Sequence, residues 1–160
     1  MTNAETAAFV SVGSNLGDKA ANCRNGIEAL AASGLCRLVR QSPFYRTEPV
    51  DYLDQDWFVN AVAKLSTDAA PEILLRKILD IELLAGRVRG GARFGPRVID
   101  LDLIFFGDQV IDIPDLVIPH PRMHKRRFVL KPMCDIDLFL RHPVLGRTVI
   151  QLLEALDGNE

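Results

Sequence analysis

Asp100 and Asp102 stand two apart in a run of β-branched, aromatic and leucine residues that reads as a buried strand over residues 98–106. Side chains alternate across a strand, so the two carboxylates share one face, about 6–7 Å apart along it. Side by side they repel, and they resist burial unless a cation lies between them or a proton is shared. Paired hard oxygen ligands suit Mg²⁺, which keeps several waters and takes more of its shell from substrate phosphates. The residues just before carry Arg87, Arg89, Arg93 and Arg97 among Gly90, Gly91, Gly95 and Pro96, and are expected to form a mobile cationic loop. Guanidinium forks bind phosphate oxygens bidentately, so loop and aspartates suit the same guest, a metal-bound polyphosphate. An isolated D-x-D would read as a solvated acidic face. Here Ile99, Leu101, Leu103 and Phe105 are expected to fill one face, while Val98, Ile104 and Phe106 make even the acidic face apolar at its ends, which favours the metal site.

Three other residues stand out. Asn60 lies inside an apolar strand pattern over residues 57–66, where a buried amide must find partners, in the protein or on a ligand. Glu82 lies near the end of a helical pattern, where the helix dipole disfavours negative charge; a salt bridge to Arg87 or Arg89 is the expected remedy, and a ligand hydroxyl the other reading. His120 sits between Pro119 and Pro121 in a loop that also carries Arg122, Lys125, Arg126 and Arg127, with no Ser or Cys nucleophile to pair with it.

The elements that must hold these residues follow from pattern. A first strand over residues 7–13 leads to a helix capped by Asp18 and stopped by Gly34. Residues 35–47 are extended, with Pro43 demanding an edge or bulge. A second helix, capped by Thr67 or Asp68 with Pro71 in its first turn, runs to Gly86. After the aspartate strand, Gly107-Asp108 is expected to turn the chain into a return strand over residues 109–113, and residues 148–156 to form a last helix. Residues 13–19, G-S-N-L-G-D-K, lack the spacing of a phosphate loop. The fold class is α+β: one domain spanning residues 1–160, an αβα sandwich with a mostly antiparallel sheet and a ferredoxin-like core.

Composition excludes several classes. With 48% hydrophobic and 25% charged residues the chain is globular, and a net charge of -2 argues against a general nucleic-acid binder. Cys23, Cys36 and Cys134 show no paired spacing, which points to thiols in a reducing compartment. No segment reads as a signal peptide or membrane span, so a cytoplasmic protein without membrane partners is expected.

Several motifs together resemble the hydroxymethyl-dihydropterin pyrophosphokinase family: G-S-N-L-G at residues 13–17, F-Y-R-T-E-P at 44–49, F-x-N-A at 58–61, G-R-x-R at 86–89, G-P-R-x-I-D-L-D-L at 95–103, P-H-P-R-M at 119–123 and R-x-F-V-L at 126–130. The resemblance implies transfer of pyrophosphate from ATP to the hydroxymethyl group of a reduced pterin, releasing AMP, with two Mg²⁺ ions held by Asp100 and Asp102. It implies catalytic roles for Arg87, Arg97, Asp100 and Asp102. Nucleotide contacts are implied from Glu82, Arg89, Arg97, Leu103, His120 and Arg126, and a pterin pocket from Thr47, Glu48, Val50, Phe58, Asn60, Phe94 and Phe128. A monomer is expected. The chain departs from the family pattern at Phe94, where a Trp is usual, at Val50, where the stretch usually runs into glycine, and at Trp57, which directly precedes Phe58. Two other classes remain: a catalytically idle binding module whose aspartates hold a stray cation, and a Mg²⁺-dependent phosphohydrolase that needs no pterin.

Overall fold

The computed structural model describes residues 5–48, 56–86 and 98–158. Strand β1 (Thr6–Ser14) is followed by α1 (Lys19–Ala32), β2 (Cys36–Gln41), β3 (Tyr45–Thr47), β4 (Phe58–Thr67), α2 (Pro71–Leu84) and β5 (Asp100–Phe106). The sheet runs β2-β4-β1-β5, every pair antiparallel, and β3 continues the β2 edge along β4. This is the expected βαββαβ core. Pro43 falls in the break between β2 and β3, on the edge where a missing N–H does no harm.

Both faces of the sheet are covered, which is why the central strands read as near-continuous apolar runs. On one face α1 and α2 bury Cys23, Ile27, Leu30, Leu74 and Ile78 against Val10, Val12, Ala61, Leu65, Leu101 and Leu103. On the other, α3 (Arg127–Asp137) and α4 (Val149–Asp157) bury Leu130, Met133 and Leu152 against Phe9, Val62, Ile104 and Phe105. The second cover reaches only part of its face. Among the described residues, that cover does not extend to the Asp100 end of β5, where Asp100 and Asp102 are partly exposed.

Local signals explain most boundaries. Asp18 caps α1 by accepting from the Ala21 N–H at 3.2 Å, and Gly34 leaves the helix at φ +82°, a conformation closed to most side chains. Thr148 and Gln151 form a capping box at α4. The cap of α2 differs from expectation: it is Ala70, with Pro71 at the first helical position and no side-chain hydrogen bond. Strand β4 runs through Thr67, whose hydroxyl donates to the Leu35 carbonyl at 2.6 Å and accepts from the Ala69 N–H at 3.0 Å. That side chain is committed to the turn before the helix begins.

Two further expectations are corrected. The strand after Gly107 does not pair with β5; β6 (Ile111–Ile113) pairs instead with β7 (Leu116–Ile118) around Pro114-Asp115, the tighter turn. Phe105 and Phe106 also exchange faces. Phe9 lies opposite Phe105 and Val10 opposite Leu103, so Ile104 is an extra residue in β5. Such a bulge reverses the alternation beyond it, sending Phe105 under α3 and Phe106 toward α2. Helix α3 has Pro132 inside it, which cannot donate to the Phe128 carbonyl, so the apolar run after Phe128 does not read as a helix from its pattern.

Helix α1 approaches the aspartate strand through a glycine. A Cβ at Gly26 would lie 2.1 Å from Cδ1 of Ile99, the residue before Asp100. Gly26→Ala should therefore couple to Ile99→Val, which deletes that methyl. In a double-mutant cycle by chemical denaturation, Ile99→Val should destabilise the wild type by about 0.5–1.5 kcal/mol but leave Gly26→Ala unchanged or more stable. Additive effects would mean that α1 does not bear on Ile99.

Candidate active site

The strand register assembles the site. Asn60 on β4 is partnered by Tyr45 on β3 and by Gly13 on β1, and Gly13 is partnered in turn by Asp100 on β5. One transverse row, Tyr45-Asn60-Gly13-Asp100, thus crosses four strands on the face opposite α1 and α2. With strands about 4.8 Å apart, Asn60 and Asp100 stand roughly 10 Å from each other across the glycine. The next row on this face puts Ser11 between Val62 and Asp102. Strand β1 therefore offers only Gly13 and Ser11 here, a low floor between a polar reader on one side and two carboxylates on the other. A Cβ at Gly13 would meet Oδ1 of Asn60 at 2.6 Å, so the amide occupies the space that glycine vacates.

Asp100 and Asp102 share this face as expected; both are partly exposed, while Leu101 and Leu103 between and beyond them are buried. The Arg126 guanidinium lies 3.8 Å from the Asp102 carboxylate and 5.4 Å from the centre of the Phe128 ring, so one cation joins the acidic and aromatic sides. Glu82, 2% exposed, accepts from the Leu101 N–H at 3.0 Å. A buried carboxylate needs donors, and a charge-assisted bond to the backbone between the two aspartates supplies one while bracing the edge strand that carries them. Leu103 turns its side chain into the core on the α1 face, leaving only its backbone to meet a ligand.

His120 arrives along the same edge, its N–H donating to the Ile104 carbonyl at 2.9 Å. Its Nδ1 accepts from the Arg122 N–H at 3.1 Å, which assigns the ring proton to Nε2. Burial, then Arg126 and Arg122, push its pKa down to about 4 against the opposing pull of Asp100. His120 is neutral at pH 7.

The aromatic side of the cleft joins β3, β4 and α3. Thr47 is partnered with Phe58, and its hydroxyl accepts from the Asn60 amide. Thr47 and Phe128 line one cavity of about 790 Å³ that also includes Arg126 and Glu48. Trp57, whose position before Phe58 had no evident purpose in the sequence, lies between two cations: Lys19 Nζ is 3.8 Å and Arg46 Cζ 4.4 Å from its ring centre. Lys19 also pairs with Asp56 at 2.9 Å. Arg46 and Trp57 each precede a member of the Thr47–Phe58 pair, so this stack clamps β3 to β4 beside it. The cation positions that reveal this come from different elements, and no local spacing announces them.

The fold thus brings together Thr47, Phe58, Asn60, Glu82, Asp100, Asp102, His120, Arg126 and Phe128 around one half-face of the sheet, with Glu48 lining the adjoining cavity. Val50, Arg87, Arg89, Phe94 and Arg97 lie outside the described residues, as does the anticipated salt bridge from Glu82 to Arg87 or Arg89.

The depressed pKa of His120 has a consequence for stability. The unfolded chain takes up a proton near pH 6.5 that folded His120 refuses until about pH 4, so its contribution is complete above pH 6.5 and is lost as pH falls through that window. His142, also pushed down by burial, contributes in the same direction. His120→Gln should therefore show a shallower fall of Tm between pH 6.5 and 4 than the wild type, with His142 accounting for part of the remainder. Parallel curves would mean that folded His120 protonates normally.

Residues 9–138 match the family model for 7,8-dihydro-6-hydroxymethylpterin-pyrophosphokinase. The chain is 42% identical over 154 residues to the 2-amino-4-hydroxy-6-hydroxymethyldihydropteridine pyrophosphokinase of Methylorubrum extorquens, covering 95% of this chain and 94% of that one. It is 43% identical to the Pseudomonas aeruginosa protein of the same name, covering 92% and 90%. The folic acid synthesis protein fol1 of Pneumocystis carinii is 40% identical over 94% of this chain, which spans 20% of that longer protein. Among solved structures, Plasmodium falciparum HPPK-DHPS wild type with pteroate shares the fold, with a TM-score of 0.76 at 17% identity over 97% of this chain and 43% of that one. The chain belongs to the 7,8-dihydro-6-hydroxymethylpterin-pyrophosphokinase family.

Proposed function

We propose that this half-face is where this pyrophosphokinase moves the terminal pyrophosphate of ATP to the hydroxymethyl group of 6-hydroxymethyl-7,8-dihydropterin. The hydroxymethyl oxygen loses its proton and forms a bond to the β-phosphorus as the bond from that phosphorus to the AMP oxygen breaks. The observation that carries the assignment of sides is the transverse row, in which Asn60 faces Asp100 across Gly13. A flat ring held between Phe58 and Phe128, its edge read by Asn60 and Thr47, would direct a substituent over the glycine toward the carboxylates.

The donor set fits Mg²⁺. Asp100 and Asp102 supply two hard oxygen ligands on one face, and among the described residues no cluster of three Asp, Glu, His or Cys side chains forms a closed site. An incomplete protein shell is what a Mg²⁺ shared with phosphates and waters requires. When bound, two such ions would neutralise charge on the transferred group. The chain's own residues do the rest. Arg126 places positive charge beside Asp102, neutral His120 can donate from Nε2 to a nucleotide acceptor, and Glu82 steadies the backbone between the aspartates. Arg87, Arg89 and Arg97 are assigned to the phosphates, Glu48, Val50 and Phe94 to the rim of the pterin pocket, and the enzyme to a monomer.

Incubation with ATP, Mg²⁺ and the pterin should give AMP and pterin diphosphate in equal amounts, with no AMP when the pterin is omitted. Asp100→Asn or Asp102→Asn should lower turnover on the order of a hundredfold or more. Phosphate or pyrophosphate released without pterin would favour a hydrolase, and absence of AMP an idle binding module.

A further inference from the structure

The cavity lined by Thr47 and Phe128 is lined also by residues of β3, α3 and the end of α4, as far as Leu156 and Asp157, and not by Asp100 or Asp102. Among the described residues, its lining holds six basic side chains, Arg46, Arg122, Lys125, Arg126, Arg127 and Lys131, against two acidic ones, Glu48 and Asp157. The whole chain has 19 basic and 21 acidic residues, so this is a local excess in a slightly acidic protein. Arg46 lies 3.9 Å from Glu48, Arg127 3.1 Å from Asp157 and Arg126 3.8 Å from Asp102. Among the described residues, no carboxylate lies within ion-pair distance of Arg122, Lys125 or Lys131. Like charges gathered in a cleft with low-dielectric walls focus their field on whatever enters it. Apolar support comes from Phe128, Pro132 and Leu156. None of Arg122, Lys125 and Lys131 has a part in the reaction assigned above.

We propose that this cleft is a second anion site, which takes the diphosphate of a phosphorylated pterin through Arg122, Lys125 and Lys131. The inference rests on the assigned reaction and extends it to the product. The substrate pterin is neutral and has no electrostatic reason to enter the cleft. The product carries several negative charges. Without metal, its diphosphate and the carboxylates of Asp100 and Asp102 repel, whereas Arg122, Lys125 and Lys131 line the cavity that also holds the Phe128 ring. A ring resting on Phe128 can keep that contact while its charged tail turns from the aspartates to the lysines. The cleft is then a holding site on the way out, and a place where accumulated product competes with incoming substrate.

Calorimetric titrations in EDTA test this without turnover, using the wild type, Lys125→Gln/Lys131→Gln and Lys125→Glu/Lys131→Glu. Pterin diphosphate should bind the glutamine variant about tenfold more weakly than the wild type, and the glutamate variant more weakly still. Binding of the neutral hydroxymethylpterin and forward turnover should stay within about twofold, as should the melting behaviour of the glutamine variant, because neither lysine is buried in the core. Inorganic pyrophosphate separates the sources of the anion. A parallel loss of its binding would show that the cleft accepts any diphosphate, and loss for the pterin diphosphate alone that the ring must anchor it. Equal affinity of all three proteins for pterin diphosphate would overturn the proposal. A wild type that binds product in this way yet makes no AMP would instead strike the assigned reaction.

Discussion

Two like charges held side by side on one strand are the constraint to which the rest of the molecule answers. Asp100 and Asp102 resist burial as a pair unless positive charge meets them, and among the described residues α3 and α4 cover only the half built on Phe9, Val62 and Phe105, leaving both carboxylates partly exposed. In the proposed metal role the strand must also be held in place, because an ion shared by two carboxylates needs both of them fixed. Strand β5 lies at the sheet edge, where a strand is least restrained. Its bracing comes from three directions: pairing with β1 on its inner side, Glu82 at the Leu101 N–H, and the His120 backbone at the Ile104 carbonyl. Glu82 is thus informative as a structural residue before any ligand is considered, since a buried carboxylate at a helix end is tolerated only where a donor meets it.

The floor of the site depends on what is missing. Gly13 and Ser11 are small where the flanking strands carry Asn60, Asp100 and Asp102, and a side chain at Gly13 would collide with the Asn60 amide. The same strand supplies Phe9 a few residues earlier, where the face is covered. One strand therefore changes from core to floor along its length, and the small residues mark the crossing point. The Lys19–Trp57–Arg46 stack performs the corresponding task at the other side of the cleft, tying the short β3 to the strand that bears Phe58 and Asn60.

Much of this was legible in the sequence. Period-two spacing alone put Asp100 and Asp102 on one face, Asp18 and Gly34 bounded α1, and Pro43 marked the interrupted edge. The failures have physical causes. Alternation predicts the face of Phe105 only if the strand stays regular, and the unpaired Ile104 breaks it through pairing with β1, which is not local. Helix α3 was hidden by Pro132, whose cost is overridden by the burial of Val129, Leu130 and Met133. Thr67 was a plausible cap until the strand claimed it. The partners of Trp57, Glu82 and His120 come from distant segments, so their types were visible and their purposes were not.

If the aspartate pair governs the site, metal binding must depend on it and on polyphosphate together. The direct test is to count bound ions, by calorimetry with Mg²⁺ or by Mn²⁺ electron paramagnetic resonance, with and without a non-hydrolysable ATP analogue. The wild type should bind two ions with the analogue and none comparably without it, and Asp100→Asn and Asp102→Asn should each fall short of two. Wild-type stoichiometry and affinity in both variants would contradict the account, because the carboxylates would then hold no metal and their exposed face would need another reason.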